Sequence, residues 1–198
     1  MIFYGDSNTY GYDPETGRGS GERYPASIRW TELVKKALES SYEVYEEGRV
    51  GRCIPTMKFE YEDFMATIEK YGQIDYFCIM LGTNDCLSLP HPDPQKVGQR
   101  MSEFIFRIKK LENFLRWQTK IMIIAPPYMD FQEDRFYKSY GTTDGSLSMS
   151  LKKAAEEQQV YFVDSGPWNT DCCNDHVHLS ADGHRVFAEN LINRIKSL

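Results

Sequence analysis

The chain has no apolar run near the roughly 20 residues that a membrane-spanning helix requires. Its longest, residues 121–127, suits one buried strand. Positive charge is also in short supply: 23 Lys and Arg stand against 29 Asp and Glu, a formal net charge of -6. Nucleic acids and anionic membranes are met by basic clusters. Lys109-Lys110 and Lys152-Lys153 are isolated pairs that read as solvated helix faces, so neither partner is expected. Cysteines are few and odd in number (Cys53, Cys78, Cys86, Cys172, Cys173), and two are adjacent. Vicinal cysteines rarely bridge without strain, which leads us to expect reduced thiols and a cytoplasmic protein. No Cys-x-x-Cys occurs, so a structural zinc is not expected. No serine makes a Gly-x-Ser-x-Gly elbow, which disfavours an α/β-hydrolase. Repeats, low-complexity tracts and an interdomain linker are likewise missing. Nothing apolar precedes the first short strand, so no cleavable leader is expected.

What is present reads as one domain over residues 1–198, since 198 residues at 41% hydrophobic bury one core comfortably but two poorly. Runs rich in β-branched and aromatic residues predict strands at 1–5, 42–47, 74–81, 120–125 and 160–164. Helical spacing of apolar residues falls between them: Ile28 to Leu38, residues 57–71, a long segment from Pro94 to Leu115, residues 147–158 and residues 180–196. Strict alternation implies a parallel sheet with right-handed crossovers and helices on both faces. The expected fold is α/β: a flavodoxin-like three-layer α/β/α sandwich with five strands in the order 2-1-3-4-5. In such sheets, ligands sit beyond the carboxyl ends of the strands.

Three motifs fall at those ends: Gly5-Asp6-Ser7-Asn8, Gly82-Thr83-Asn84-Asp85 and Asp175-His176-Val177-His178. A serine hydroxyl becomes a nucleophile when a base takes its proton, and a histidine serves as that base when a carboxylate fixes its tautomer. Asp175 and His178, three residues apart, permit that contact. A tetrahedral intermediate further needs donors for its oxyanion, and the Asn84 carboxamide with backbone N–H groups beside Gly and Ser can supply them.

These residues resemble the SGNH hydrolases, or GDSL lipase/esterase family, in the arylesterase-like branch of bacterial acyl hydrolases. The resemblance covers residues 1 to about 190. Ser7 matches the first block, Asn84 the third, and Asp175 with His178 the last. In the second, within Glu46-Glu47-Gly48-Arg49-Val50-Gly51-Arg52, the oxyanion glycine aligns with Gly51, and a three-residue shift of register would make it Gly48. Gly11-Tyr12-Asp13-Pro14 and Arg29-Trp30 add to the likeness. Val50 stands where a polar residue is common in this branch, and Cys86 follows the third block, so pocket polarity does not carry over. The resemblance implies a cofactor-free serine esterase with Ser7, His178 and Asp175 as triad and Ser7, Gly51 and Asn84 as oxyanion hole. Its expected substrates are small short-chain esters or acetyl groups on carbohydrate, and a homo-oligomer is possible in this branch.

Asp6, Tyr12 and Trp30 are taken as substrate-binding candidates, the two rings being suited to stacking on an aryl group or a sugar. Loops 13–24 and 128–145, the latter with Phe131, Phe136, Tyr137 and Tyr140, are long enough to wall a pocket. His176 and His178, two apart, with His184, Cys172, Cys173 and Asp175, raise a metal site as an alternative, but the His spacing of zincins is missing, and no metal is assigned. His184 reads as a packed or capping histidine and His91 as an exposed one. Readings of other classes stay open: a noncatalytic carbohydrate- or small-molecule-binding module, and a flavin module using Ser7-Asn8-Thr9 at a helix start. The flavin module leaves Asn84 and the Asp-x-x-His pair without a role.

Overall fold

The computed structural model describes residues 1–15, 22–89 and 91–197; of loop 13–24, residues 16–21 lie outside the described residues. Five strands, β1 (Ile2–Gly5), β2 (Tyr45–Gly48), β3 (Tyr76–Met80), β4 (Lys120–Ala125) and β5 (Tyr161–Asp164), form one sheet in the order β2-β1-β3-β4-β5. Every pairing is parallel. A parallel sheet is covered on both faces, so its central strands are apolar throughout. The sequences Ile-Phe-Tyr-Gly of β1 and Tyr-Phe-Cys-Ile-Met of β3 meet that demand and are wholly buried.

Alternation along each strand splits the core in two. Ile2, Tyr4, Phe77, Ile79, Ile121 and Ile123 point to one face. There they meet Phe64 and Ile68 of α3 (Lys58–Ile68), Val97, Met101 and Phe104 of α5 (Pro94–Ile108), Phe114 of α6 (Glu112–Trp117), and Leu147 and Leu151 of α7 (Ser146–Gln158). Phe3, Cys78, Met80, Met122 and Ile124 point to the other face, against Trp30 and Val34 of α2 (Trp30–Leu38) and Phe187 and Leu191 of α8 (Ala181–Lys196). Each such side chain contributes about 1.5–3 kcal/mol on burial, so both helical layers are held by the same strands. Gly98 lets α5 and α7 close up, because a Cβ there would lie 2.7 Å from the Ser150 carbonyl oxygen.

Two differences from the sequence reading concern helices. The segment from Pro94 to Leu115 is two helices, with Leu111 in an extended conformation at the start of α6. Its Leu111 N–H closes a turn on the Ile108 carbonyl, and the break redirects Phe114 into the core. Two short helices were not anticipated: α1 (Ser7–Tyr10) and α4 (Thr83–Leu87), each directly after a central strand. Among the described residues no helix is long and apolar enough to cross a membrane.

The sheet register brings the motifs together. Gly5, which ends β1, is opposite Gly48 on one side and Met80 on the other. Ser7, Gly51 and Asn84 therefore follow the ends of three neighbouring strands by two, three and four residues.

Candidate active site

The chain leaves β1 at Gly5, where a Cβ would fall 2.0 Å from Thr9 Oγ1 and 2.9 Å from the Met80 carbonyl. Asp6 caps α1 by accepting from the Asn8 N–H at 3.0 Å. Gly11, at φ 79°, ends it and donates its N–H to the Ser7 carbonyl. Ser7 is thus the first residue of a single helical turn, where a backbone N–H has no intrahelical acceptor.

Ser7 Oγ lies 2.9 Å from His178 Nε2, and His178 Nδ1 lies 2.5 Å from Asp175 Oδ2. The other carboxylate oxygen, Oδ1, accepts the N–H groups of Val177 and His178, each at 3.0 Å. Burial pushes the Asp175 carboxyl up. The hydrogen bond from the imidazole and the two backbone donors outweigh it, and the net position is below the ordinary carboxylate value. An ionised Asp175 favours the tautomer with hydrogen on Nδ1, leaving the Nε2 lone pair towards the serine hydroxyl. The turn carrying these residues is tight. His176 sits in the left-handed region at φ 59°, and the Cys173 N–H closes on the His178 carbonyl at 2.7 Å.

The donor side is built by β2 and α4. Gly48 lies within β2, and a Cβ there would come within 2.1 Å of the Tyr10 backbone nitrogen. Its lack of a side chain lets α1 pack onto the strand. Gly51 is past the strand, at φ 75°, with nothing within 4 Å of where a Cβ would stand. The backbone at Gly51 therefore borders open space. The Asn84 Nδ2 donates to the Arg52 carbonyl at 3.1 Å. A carboxamide NH2 carries two hydrogens, so this bond orients the group and leaves one donor. Arg52 is itself fixed, with Nη1 donating to the carbonyls of Gly5 and Glu47 and its guanidinium over the Tyr4 ring. Asp85, fully buried, accepts from the Ile54 N–H at 3.0 Å and from Arg100 Nη1 at 3.1 Å. It ties the segment after Gly51 to the helix that bears Asn84. Burial raises the Asp85 carboxyl against those bonds.

Of the substrate-binding candidates, Tyr12 is beside the histidine, ring centroids 4.9 Å apart. Trp30 and Asp6 are corrected: both are 0% exposed. Trp30 packs between Phe3 and Phe187 and donates its indole N–H to the Asn8 carbonyl at 2.9 Å. Asp6 is the helix cap, and burial raises its carboxyl to about 6. His184 is packed inside the protein, its Nδ1 3.4 Å from the Trp30 N–H, and burial followed by the nearby Arg29 cation lowers it to about 4. His91 is exposed. The five cysteines are free thiols. Loop 128–145 reaches the histidine turn: Phe131 is 6.1 Å from His176 and 6.0 Å from Tyr137, measured between ring centroids.

Sequence reasoning passed over Asn8, whose carboxamide spans the histidine loop, and the Asp85–Arg100 pair. Asp85 adjoins Asn84 and stood in plain view, but its role depends on a partner 15 residues away. A cleft of about 490 Å³ lined by Pro14, Glu15, Asn174 and Asp175 opens beside the triad-like cluster. A larger one of about 650 Å³ lies between α5 and α7, bordered by Gln95, Met149 and Lys153, and includes none of these residues.

Residues 3–186 match the GDSL-like lipase/acylhydrolase family. Est24, a carbohydrate acetylesterase from Sinorhizobium meliloti, superposes with a TM-score of 0.80 at 23% identity, over 99% of this chain and 97% of that one. An inhibitor-bound aryl esterase of M. smegmatis gives 0.80 at 21% identity, over 100% and 98%. A member of the lipolytic protein G-D-S-L family from Veillonella parvula gives 0.71 at 20%, over 100% and 98%. Identities this low speak for the fold. No curated protein matched the sequence.

Proposed function

The chain belongs to the GDSL-like lipase/acylhydrolase family, and from that premise we propose that it is a serine esterase cleaving small, short-chain carboxylic esters through an acyl-enzyme. The observation that carries this reading is the continuous relay Ser7 Oγ, His178 Nε2, His178 Nδ1, Asp175 Oδ2, with steps of 2.9 and 2.5 Å. Ser7 Oγ attacks the ester carbonyl while His178 takes its proton, and Asp175 stabilises the imidazolium. The N–H groups of Ser7 and Gly51 and the remaining hydrogen of Asn84 Nδ2 receive the oxyanion. His178 then protonates the departing alcohol. Water attacks the acyl-enzyme by the reverse steps, releasing the acid and restoring Ser7. Every proton is moved by residues of the chain, so the reaction as written uses no cofactor and no metal.

A second reading within the same mechanism is deacetylation of carbohydrate. The cleft beside His178 favours it, because Glu15, Asn174 and Asp175 give its lining polar groups suited to a hydroxyl-rich leaving group. Tyr12 stands next to the imidazole where a sugar ring can stack. We place the protein, on its composition and unpaired thiols, in a cytoplasm, acting on a small molecule.

Turnover of p-nitrophenyl esters of rising acyl length, read beside acetylated sugars, tests the proposal. Rates should be highest for acetyl, and Ser7→Ala should abolish them. No turnover of any ester, or full turnover by Ser7→Ala, would overturn it.

A further inference from the structure

His178 sits in an irregular segment between β5 and α8, yet its ring must stay within hydrogen-bond reach of a hydroxyl on the far side of the sheet order. Bonds inside the segment set its shape. Asp175 accepts from Val177 and His178, and Cys173 donates to the His178 carbonyl. These contacts are all local, and they leave the distance from the turn to Ser7 to be set by bonds that leave the segment.

Asn174 reaches Glu15 and Cys173 reaches Tyr24, but the bonds that flank His178 itself come from Asn8. Its Nδ2 donates to the Val177 carbonyl at 3.0 Å, and its Oδ1 accepts from the Leu179 N–H at 2.9 Å. The carboxamide thus grips the peptide on both sides of His178. Asn8 is 2% exposed and is itself anchored twice: its N–H to Asp6 Oδ1, and its carbonyl to the Trp30 indole. It directly follows Ser7 in α1, so the same residue that fixes the histidine turn is covalently joined to the serine.

We propose that Asn8 is the positioning residue of this site, its side chain setting the distance between His178 and Ser7. The chemistry is specific to a carboxamide. One planar group must offer a donor and an acceptor together. Aspartate has no donor for the Val177 carbonyl, and alanine satisfies neither group. The inference rests on the reading of Ser7 and His178 given above.

A double-mutant cycle tests it: kcat and KM on p-nitrophenyl acetate for Asn8→Ala in the parent and in a His178→Ala background, assayed well below each variant's melting temperature. Misplacing a catalytic group by about 1 Å costs on the order of 10²-fold, so Asn8→Ala should lower kcat roughly 10- to 100-fold with KM little changed. In the His178→Ala enzyme the same substitution should alter the residual rate by less than about twofold, because a residue acting through His178 has nothing left to position. An equal loss in both backgrounds, or a parent kcat within about twofold, would overturn the assignment. Should Asn8→Ala fail to fold, Asn8→Asp keeps the volume and the acceptor for Leu179 and carries the same cycle with the same criteria. Full activity of His178→Ala alone would instead overturn the parent reading of the histidine.

Discussion

A carboxamide at an oxyanion hole has to be aimed before charge develops, since the gain comes from dipoles that do not reorganise during reaction. For Asn84, proposed here as such a donor, one bond does the aiming: an Nδ2 hydrogen goes to the Arg52 carbonyl at 3.1 Å, fixing the direction of the other. Asn84→Ala is expected to lower kcat by about 10²–10³ with little change in KM. Steady-state kinetics on an aryl acetate checks this, and an unchanged kcat would remove Asn84 from the hole. At this scale the sequence was highly legible wherever chemistry restricts residue type. Ser7, Asn84, Asp175 and His178 stand out because few side chains can do the work proposed for them. Trp30 misled because nearness to Ser7 in sequence says nothing of which face of the sheet a ring enters; it joins the layer of Phe3 and Phe187. Asn8 passed unseen for the converse reason. Its partners are 169 and 171 residues away, and asparagine after a strand is an ordinary turn residue.

Among elements, the inner strands were readable because a doubly covered parallel strand must be a short, unbroken apolar or β-branched run, as in β3 and β4. Their parallel pairing followed from alternation with helices. Helices of four or five residues escape, since one turn has no periodicity to detect: α1 and α4, the two that present Ser7 and Asn84, are both of this kind. The break between α5 and α6 carries no Gly or Pro, so only packing, with Phe114 turned inward, explains it. Sheet register also separates two glycines that a three-residue shift of alignment would exchange. Gly48 is opposite Gly5 and pressed against α1, whereas Gly51 turns at positive φ beside open space. The strain-free left-handed turn is glycine's own property, and it occurs at Gly51, the glycine proposed here as an oxyanion donor.

For the molecule as a whole, two buried groups pull its acid stability in opposite directions. His184 is held neutral down to about 4 by burial and Arg29. The unfolded chain takes that proton near the ordinary imidazole value, so this contribution is intact above about 6.5 and is lost as pH falls towards 4. Asp6, raised to about 6 by burial, behaves inversely. Its proton is bound more tightly in the folded state, so its contribution is largest below the ordinary carboxylate value and fades as pH rises through about 6. Each amounts to something on the order of 3 kcal/mol, and together they flatten the profile. Urea midpoints from pH 4 to 7 should therefore diverge: relative to the parent, Asp6→Asn gains stability with rising pH and His184→Leu loses it. Parallel profiles for all three proteins would contradict this assignment of buried charge.

The central claim is that Ser7 Oγ is the nucleophile, activated across the sheet by a histidine from the other end of the chain. Reaction with an organophosphate followed by peptide mass mapping addresses it directly. A single phosphoryl adduct on the peptide containing Ser7, lost in Ser7→Ala and strongly slowed in His178→Ala, is the predicted result; labelling elsewhere, or labelling that survives Ser7→Ala, would contradict it.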